Sequence, residues 1–119
     1  MHPPIQITFR HIEQSQAIEQ YVRSRATKLD AFSRHAHSCR VAIEKPHAHA
    51  HHGNHYRVRI DIGVAGGALI VGHSRETDRN YEDLYAAIDD AFDVMGRRLQ
   101  DFVCRQRGSV KFHEPWSAS

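Results

Sequence analysis

Tyr56-Arg-Val-Arg-Ile-Asp-Ile-Gly-Val64 alternates apolar and polar residues almost without a break. Tyr56, Val58, Ile60, Ile62 and Val64 fall on one side and Arg57, Arg59 and Asp61 on the other. This period of two marks a β-strand with one face buried and one in water. Such a strand fits an antiparallel sheet covered on one side only. Downstream, Gly66-Gly67 sits where a tight hairpin turn is needed, and residues 68–73 return as a fourth strand. Upstream, residues 39–45 form a second strand, with Cys39, Val41 and Ile43 inward and Arg40, Ala42 and Glu44 outward. Pro46 ends it, because proline cannot donate to the ladder. Near the amino terminus Ile5, Ile7 and Phe9 alternate with Gln6, Thr8 and Arg10, which gives the first strand.

Two segments change period. Over residues 15–32, Ile18, Tyr21, Val22, Ala26, Leu29 and Phe32 form one helical stripe, with Ser15 as N-cap. Over residues 80–107 the stripe is Tyr81, Leu84, Tyr85, Ile88, Ala91, Phe92, Met95, Leu99, Phe102 and Val103. Asn80 and Asp83 resemble a capping box, and Gly108 fits a helix stop. Gly96 inside this helix allows another element to approach closely. The order β-α-β-β-β-α predicts an α+β two-layer sandwich, a four-stranded sheet with two helices on one face. One domain spans residues 1–108, and residues 109–119 read as a flexible tail.

The 119 residues suffice for one core without a disulfide or metal staple. A hydrophobic fraction of 40% and a charged fraction of 25% describe an ordinary globular chain. Uncharged stretches are far shorter than the roughly 20 residues of a membrane span, and the first residues lack a secretory pattern. Cys39 and Cys104 show no metal or redox spacing. The expected setting is therefore the cytoplasm. The net charge of +2 excludes a dense polybasic binder but not a local basic face.

No catalytic signature is present: there is no GxSxG, HExxH or phosphate-cradling glycine loop. Asp89 and Asp90 are adjacent on a helix and point apart. Cys104 adjoins the apolar stripe and reads as a partly buried structural thiol. The loop Pro46-His-Ala-His-Ala-His-His-Gly-Asn-His55 holds five of the 11 histidines. Neutral imidazoles bind divalent metals, so this loop is a place for adventitious capture, with no dedicated metal site or cofactor assigned. Protonating every histidine takes the net charge from +2 to +13. In the last helix acids crowd the first half, while Arg97, Arg98, Arg105 and Arg107 occupy the second. Those charges either complement the helix macrodipole or, with Arg23, Arg25 and Lys28, make a phosphate-binding patch. Arginine outnumbers lysine 13 to 3, and its planar fork suits phosphate oxygens.

Asp83-Leu-Tyr-Ala-Ala-Ile-Asp-Asp90, followed by Arg97 and Leu99, resembles the pattern D-M-Y-x-A-I-D then R-Q-L. Tyr21-Val22 with Arg25, Lys28 and Leu29 is similar to an aromatic-Val pair followed by K-x-x-K-L. Both patterns belong to the ribosome hibernation-promoting factors, the sigma-54 modulation family, and the likeness runs from Ile5 to Arg107. The resemblance implies a non-enzymatic stress factor that binds the small ribosomal subunit and its 16S rRNA. Such a factor lies in the mRNA and tRNA channel and represses translation. It places RNA contacts on Arg25, Lys28 and Arg97, with Arg23, Arg98, Arg105 and Arg107 nearby. In length the chain resembles the short members. Val94 and Asp101 stand where the family has lysines, which implies weaker binding with a shallower salt dependence. The alternative is the same fold turned to metal binding or protein interaction through residues 47–55.

Overall fold

Every alternating segment becomes a strand in the computed structural model, which describes residues 3–29, 32–45, 54–77 and 81–111. The strands β1 (Ile5–Arg10), β2 (Ser38–Glu44), β3 (Asn54–Val64) and β4 (Gly67–Thr77) form one sheet in that order. β1 and β2 are parallel, and the other two pairings are antiparallel. The registers line up Ile7, Val41, Ile60 and Val71 in one row and Ile5, Cys39, Ile62 and Leu69 in another, all on the covered face. The rows between them, Gln6–Arg40–Asp61–Ile70 and Thr8–Ala42–Arg59–Gly72, point away from the core. β4 continues four residues beyond the expected His73. Its polar end pairs with the start of β3, as in Arg75 opposite Tyr56 and Thr77 opposite Asn54.

A parallel pair needs a crossover, and the first helical segment supplies it. The helix α1 (Gln16–Thr27) starts at Ser15, whose hydroxyl accepts the Ile18 amide at 3.3 Å. It buries Ile18, Val22 and Ala26. The expected single helix to residue 32 is in fact broken. α1 stops at Thr27, and Phe32 enters the core from a separate short helix, α2 (Phe32–His35). The Thr27 hydroxyl turns back to the carbonyls of Arg23 and Ser24, at 3.0 and 3.2 Å, a bond that weakens a helix end. Beyond it the backbone tightens, with the Leu29 amide donating to the Ala26 carbonyl at 3.2 Å.

α3 (Tyr81–Lys111) has 31 residues, a length of about 46 Å, and packs across β3 and β4. Leu84, Ile88, Phe92, Met95 and Leu99 on it are fully buried and seal the apolar face. The helix runs through Gly108, where a stop was expected. A glycine costs a helix only about 1 kcal/mol, and proline does not follow until Pro115. Asn80 lies outside the described residues, as do residues 112–119 and most of the histidine loop. The two-layer α+β sandwich is as the sequence predicts, with α2 added.

Two further details differ from the sequence reading. Cys104 is exposed, because it sits one position past Val103 and so turns about 100° out of the apolar stripe. Cys39 is the buried thiol, and burial among apolar groups, with Asp61 nearby, pushes it up to about 12. In the hairpin, Ala65 and Gly66 make the turn, while Gly67 already pairs with Val64. Of these turn residues Gly66 has the positive φ, +86°, where a type II turn requires glycine.

A thiol reagent at neutral pH is expected to label Cys104 within minutes in the native chain. It should reach Cys39 only on unfolding, as followed by mass spectrometry with and without urea. Gly66→Ala should cost about 1–2 kcal/mol in urea denaturation. Gly67→Ala meets no atom within 4 Å and should stay within about 0.5 kcal/mol of the parent.

Candidate nucleic-acid interface

α1 and α3 lie side by side over the sheet. Leu29, just past the end of α1, packs over Gly96: a Cβ built on the glycine would stand 3.4 Å from the Leu29 side chain, an ordinary contact that an alanine could also make. Above the contact runs a groove of about 470 Å³, lined by Arg25, Lys28, Phe92, Asp93, Arg97 and Asp101 among others. Arg25 forms one wall and is held on several sides. Its Nη2 donates to the Asp93 carboxylate at 3.0 Å and to the Asp89 carbonyl at 3.3 Å. Nε lies 3.1 Å from the Asp89 carboxylate without its N–H aimed there, so that contact is ionic and leaves Nε without a hydrogen bond. The guanidinium carbon sits 5.7 Å from the centre of the Phe92 ring. Asp89 also accepts the Tyr21 hydroxyl at 2.5 Å, and Tyr21 meets Tyr85 edge to face.

The seven cations expected to grip RNA therefore do different things. Lys28 and Arg97 are exposed across the groove from each other's helix and form no ion pair among the described residues. Arg25 lines the same groove but serves as the clamp between α1 and α3. Arg23 points to the edge of the sheet, donating to the Ile5 carbonyl at 3.1 Å and to Glu19 at 3.2 Å. Arg98 reaches the opposite edge and donates to the Ile70 carbonyl at 2.8 Å. Arg105 is exposed seven residues further along α3, on nearly the side of Arg98. The side chain of Arg107 lies outside the described residues. One groove thus unites Arg25, Lys28 and Arg97, while the others are distributed around the molecule.

Asp89 and Asp90 diverge as expected, Asp89 toward α1 and Asp90 toward His73 on β4 at 3.3 Å. Among the described residues no group of three or more His, Cys, Asp or Glu is placed to hold a metal ion. The histidine loop is outside that statement, since residues 46–53 and the His55 side chain are not described. Sequence reasoning left one basic surface unassigned. Arg10, Arg40, Arg57 and Arg59 gather on the open face of the sheet, around a trough of about 530 Å³. The signal was the Arg-x-Arg of β3, which alternation alone sends outward.

Breaking the clamp should loosen α1 from α3. Arg25→Met is expected to cost about 1 kcal/mol in urea denaturation, because its carboxylate partners are partly exposed and screened. Lys28→Met should fall within about 0.5 kcal/mol of the parent. The hydrogen bond to the Asp89 carboxylate, helped by partial burial, raises the Tyr21 phenol above its ordinary value of 10.0. The folded state thus favours the protonated phenol. Its contribution is complete below about pH 10 and fades as pH climbs through the raised value. Relative to Tyr21→Phe, the parent should lose stability in that alkaline window and not below it.

Comparisons with known proteins agree with this architecture. The ribosome hibernation promotion factor of Deinococcus radiodurans is 27% identical over 100 residues, covering 84% of this chain. The match is 49% of that relative, so the chain spans about half its length. A ribosomal subunit interface protein from Coxiella burnetii superposes with a TM-score of 0.68 at 11% identity, covering 85% of this chain and 98% of that one. The N-terminal domain of Protein Y from Thermus thermophilus gives 0.60 at 24% identity, covering 86% and 99%. At those identities the two structures establish the fold alone. The profile described as sigma 54 modulation protein / S30EA ribosomal protein matches residues 5–107, the span over which the helix motifs carry the resemblance. From β1 through nearly all of α3, then, this chain belongs to the sigma 54 modulation protein / S30EA ribosomal protein family.

Proposed function

We propose that this chain is a cytoplasmic, non-enzymatic factor that binds the small ribosomal subunit through 16S rRNA and represses translation by hibernation. The observation that carries this reading is the family match across residues 5–107, seen in a fold whose α1–α3 groove carries Lys28 and Arg97, neither ion-paired among the described residues. The mechanism is occlusion. A rigid domain of this size, seated in the mRNA and tRNA channel, excludes both ligands without any chemistry on them. Cations facing rRNA phosphates supply the affinity by releasing condensed counterions. Asp93 and Asp101 line the same groove, so few phosphates are neutralised there, and the binding is correspondingly weak with a shallow salt dependence.

Arg25 enters this mechanism indirectly: by fixing α1 against α3 it sets the spacing between Lys28 and Arg97. In a sucrose gradient at low salt, the chain should travel with 30S or 70S particles. Lys28→Glu combined with Arg97→Glu should weaken binding by more than about tenfold. It should also lower the slope of log K against log salt by about 1.4, two contacts at roughly 0.7 each. A parent chain that stays at the top of the gradient at low salt would sink the proposal.

A further inference from the structure

The helices occupy one face of the sheet; among the described residues nothing covers the other. Four arginines from three strands stand on it: Arg10 from β1, Arg40 from β2, and Arg57 and Arg59 from β3, all exposed. Only Glu44 and Asp61 oppose them in the trough, and Arg57 is 3.7 Å from Glu44. Arg10, Arg40 and Arg59 form no ion pair among the described residues. Arg59 is flanked across the strands by Ala42 and Gly72, neither of which can neutralise it or fill the space beside it. A Cβ on Gly72 would meet nothing within 4 Å. Arg57 and Arg59 stand about 7 Å apart on one strand, so the sheet sets like charges side by side at a cost to its own stability.

We infer that this open face is a second phosphate-binding surface, taking the ribose-phosphate backbone of an RNA strand without reading its bases. The inference goes beyond the ribosome reading, since it concerns another face and any RNA strand. The chemistry of the lining selects the partner. Protein interfaces centre on apolar and aromatic side chains, whereas nucleic-acid interfaces are polar and positively charged. Besides the four arginines, the trough is lined by Gln6, Thr8, Val41, Ala42, Glu44 and Asp61, and has no aromatic residue. Ile70, at the edge strand, is the one large exposed apolar side chain among the described residues. Without aromatic rings there is no platform for stacking bases, which leaves the phosphates as the recognised group. Guanidinium forks suit phosphate oxygens better than ammonium groups do.

The test is equilibrium binding of the full chain to a short single-stranded RNA of mixed sequence and to 30S subunits, each over a salt series. Arg40→Gln with Arg59→Gln should weaken RNA binding about tenfold at low salt and lower the salt slope by about 1.4. Arg40→Lys with Arg59→Lys should keep the parent slope, which separates charge from any loss of folding. An unchanged slope in the glutamine pair overturns the inference. So does intact RNA binding together with lost binding of a glutamate-rich peptide, which assigns the face to an acidic protein partner. A parent that ignores 30S subunits while the oligonucleotide arm behaves as expected removes the ribosome reading and leaves this one standing.

Discussion

The strict alternation of β3 is the constraint on which the molecule depends. Because Val58, Ile60 and Ile62 must all face one way, the sheet acquires a single apolar face, and a shift of one residue would turn every one of them into water. That face has to be covered, and α3 is the element long and apolar enough to do it. Leu84, Ile88, Phe92, Met95 and Leu99 meet the sheet along one stripe. The same alternation then dictates what remains outside. Arg57 and Arg59 are outward because their neighbours are inward, so core formation and surface charge are set by one pattern.

A second level of order joins the helices. Arg25, Asp89, Asp93 and Tyr21 form a cluster in which a charge on α1 is balanced by two carboxylates on α3. Asp89 and Asp93 are therefore more than a complement to the dipole of α3, since they hold α1 in place. This use of Arg25, with Asp93 and Asp101 beside it, makes the groove only weakly basic. The net charge of +2 is set by composition alone, but fewer cations are free than it suggests, since Arg23 and Arg98 are engaged at the two sheet edges as Arg25 is in the clamp. What is left over is divided between the groove, where Lys28 and Arg97 form no ion pair among the described residues, and the open sheet face.

The sheet was legible because each strand carries its own period. The end of α1 was not, because Leu29 and Phe32 fall on the helical stripe whether the helix continues or a tight turn returns the chain to the core. The end of β4 was missed for a related reason. Its last residues have no apolar alternation and owe their conformation to partners on β3. Among the candidate RNA contacts, composition and motif named Lys28 and Arg97, which line one groove in the structure. They could not reveal that Arg25 meets Asp89 and Asp93, which lie 64 and 68 positions away in the chain. Nor did helix-centred reasoning weigh the outward arginines of the strands, which only the register brings together into one surface.

In the proposed function the shape of this modestly charged sandwich does the inhibiting, and its scattered cations do the holding. A cryo-electron microscopy reconstruction of 30S subunits saturated with the full chain tests that account most directly. The account predicts density for the sandwich inside the mRNA and tRNA channel, with Lys28 and Arg97 within hydrogen-bonding distance of 16S rRNA phosphates. Density confined to a ribosomal protein surface outside the channel, or an empty channel at saturating chain, would contradict it.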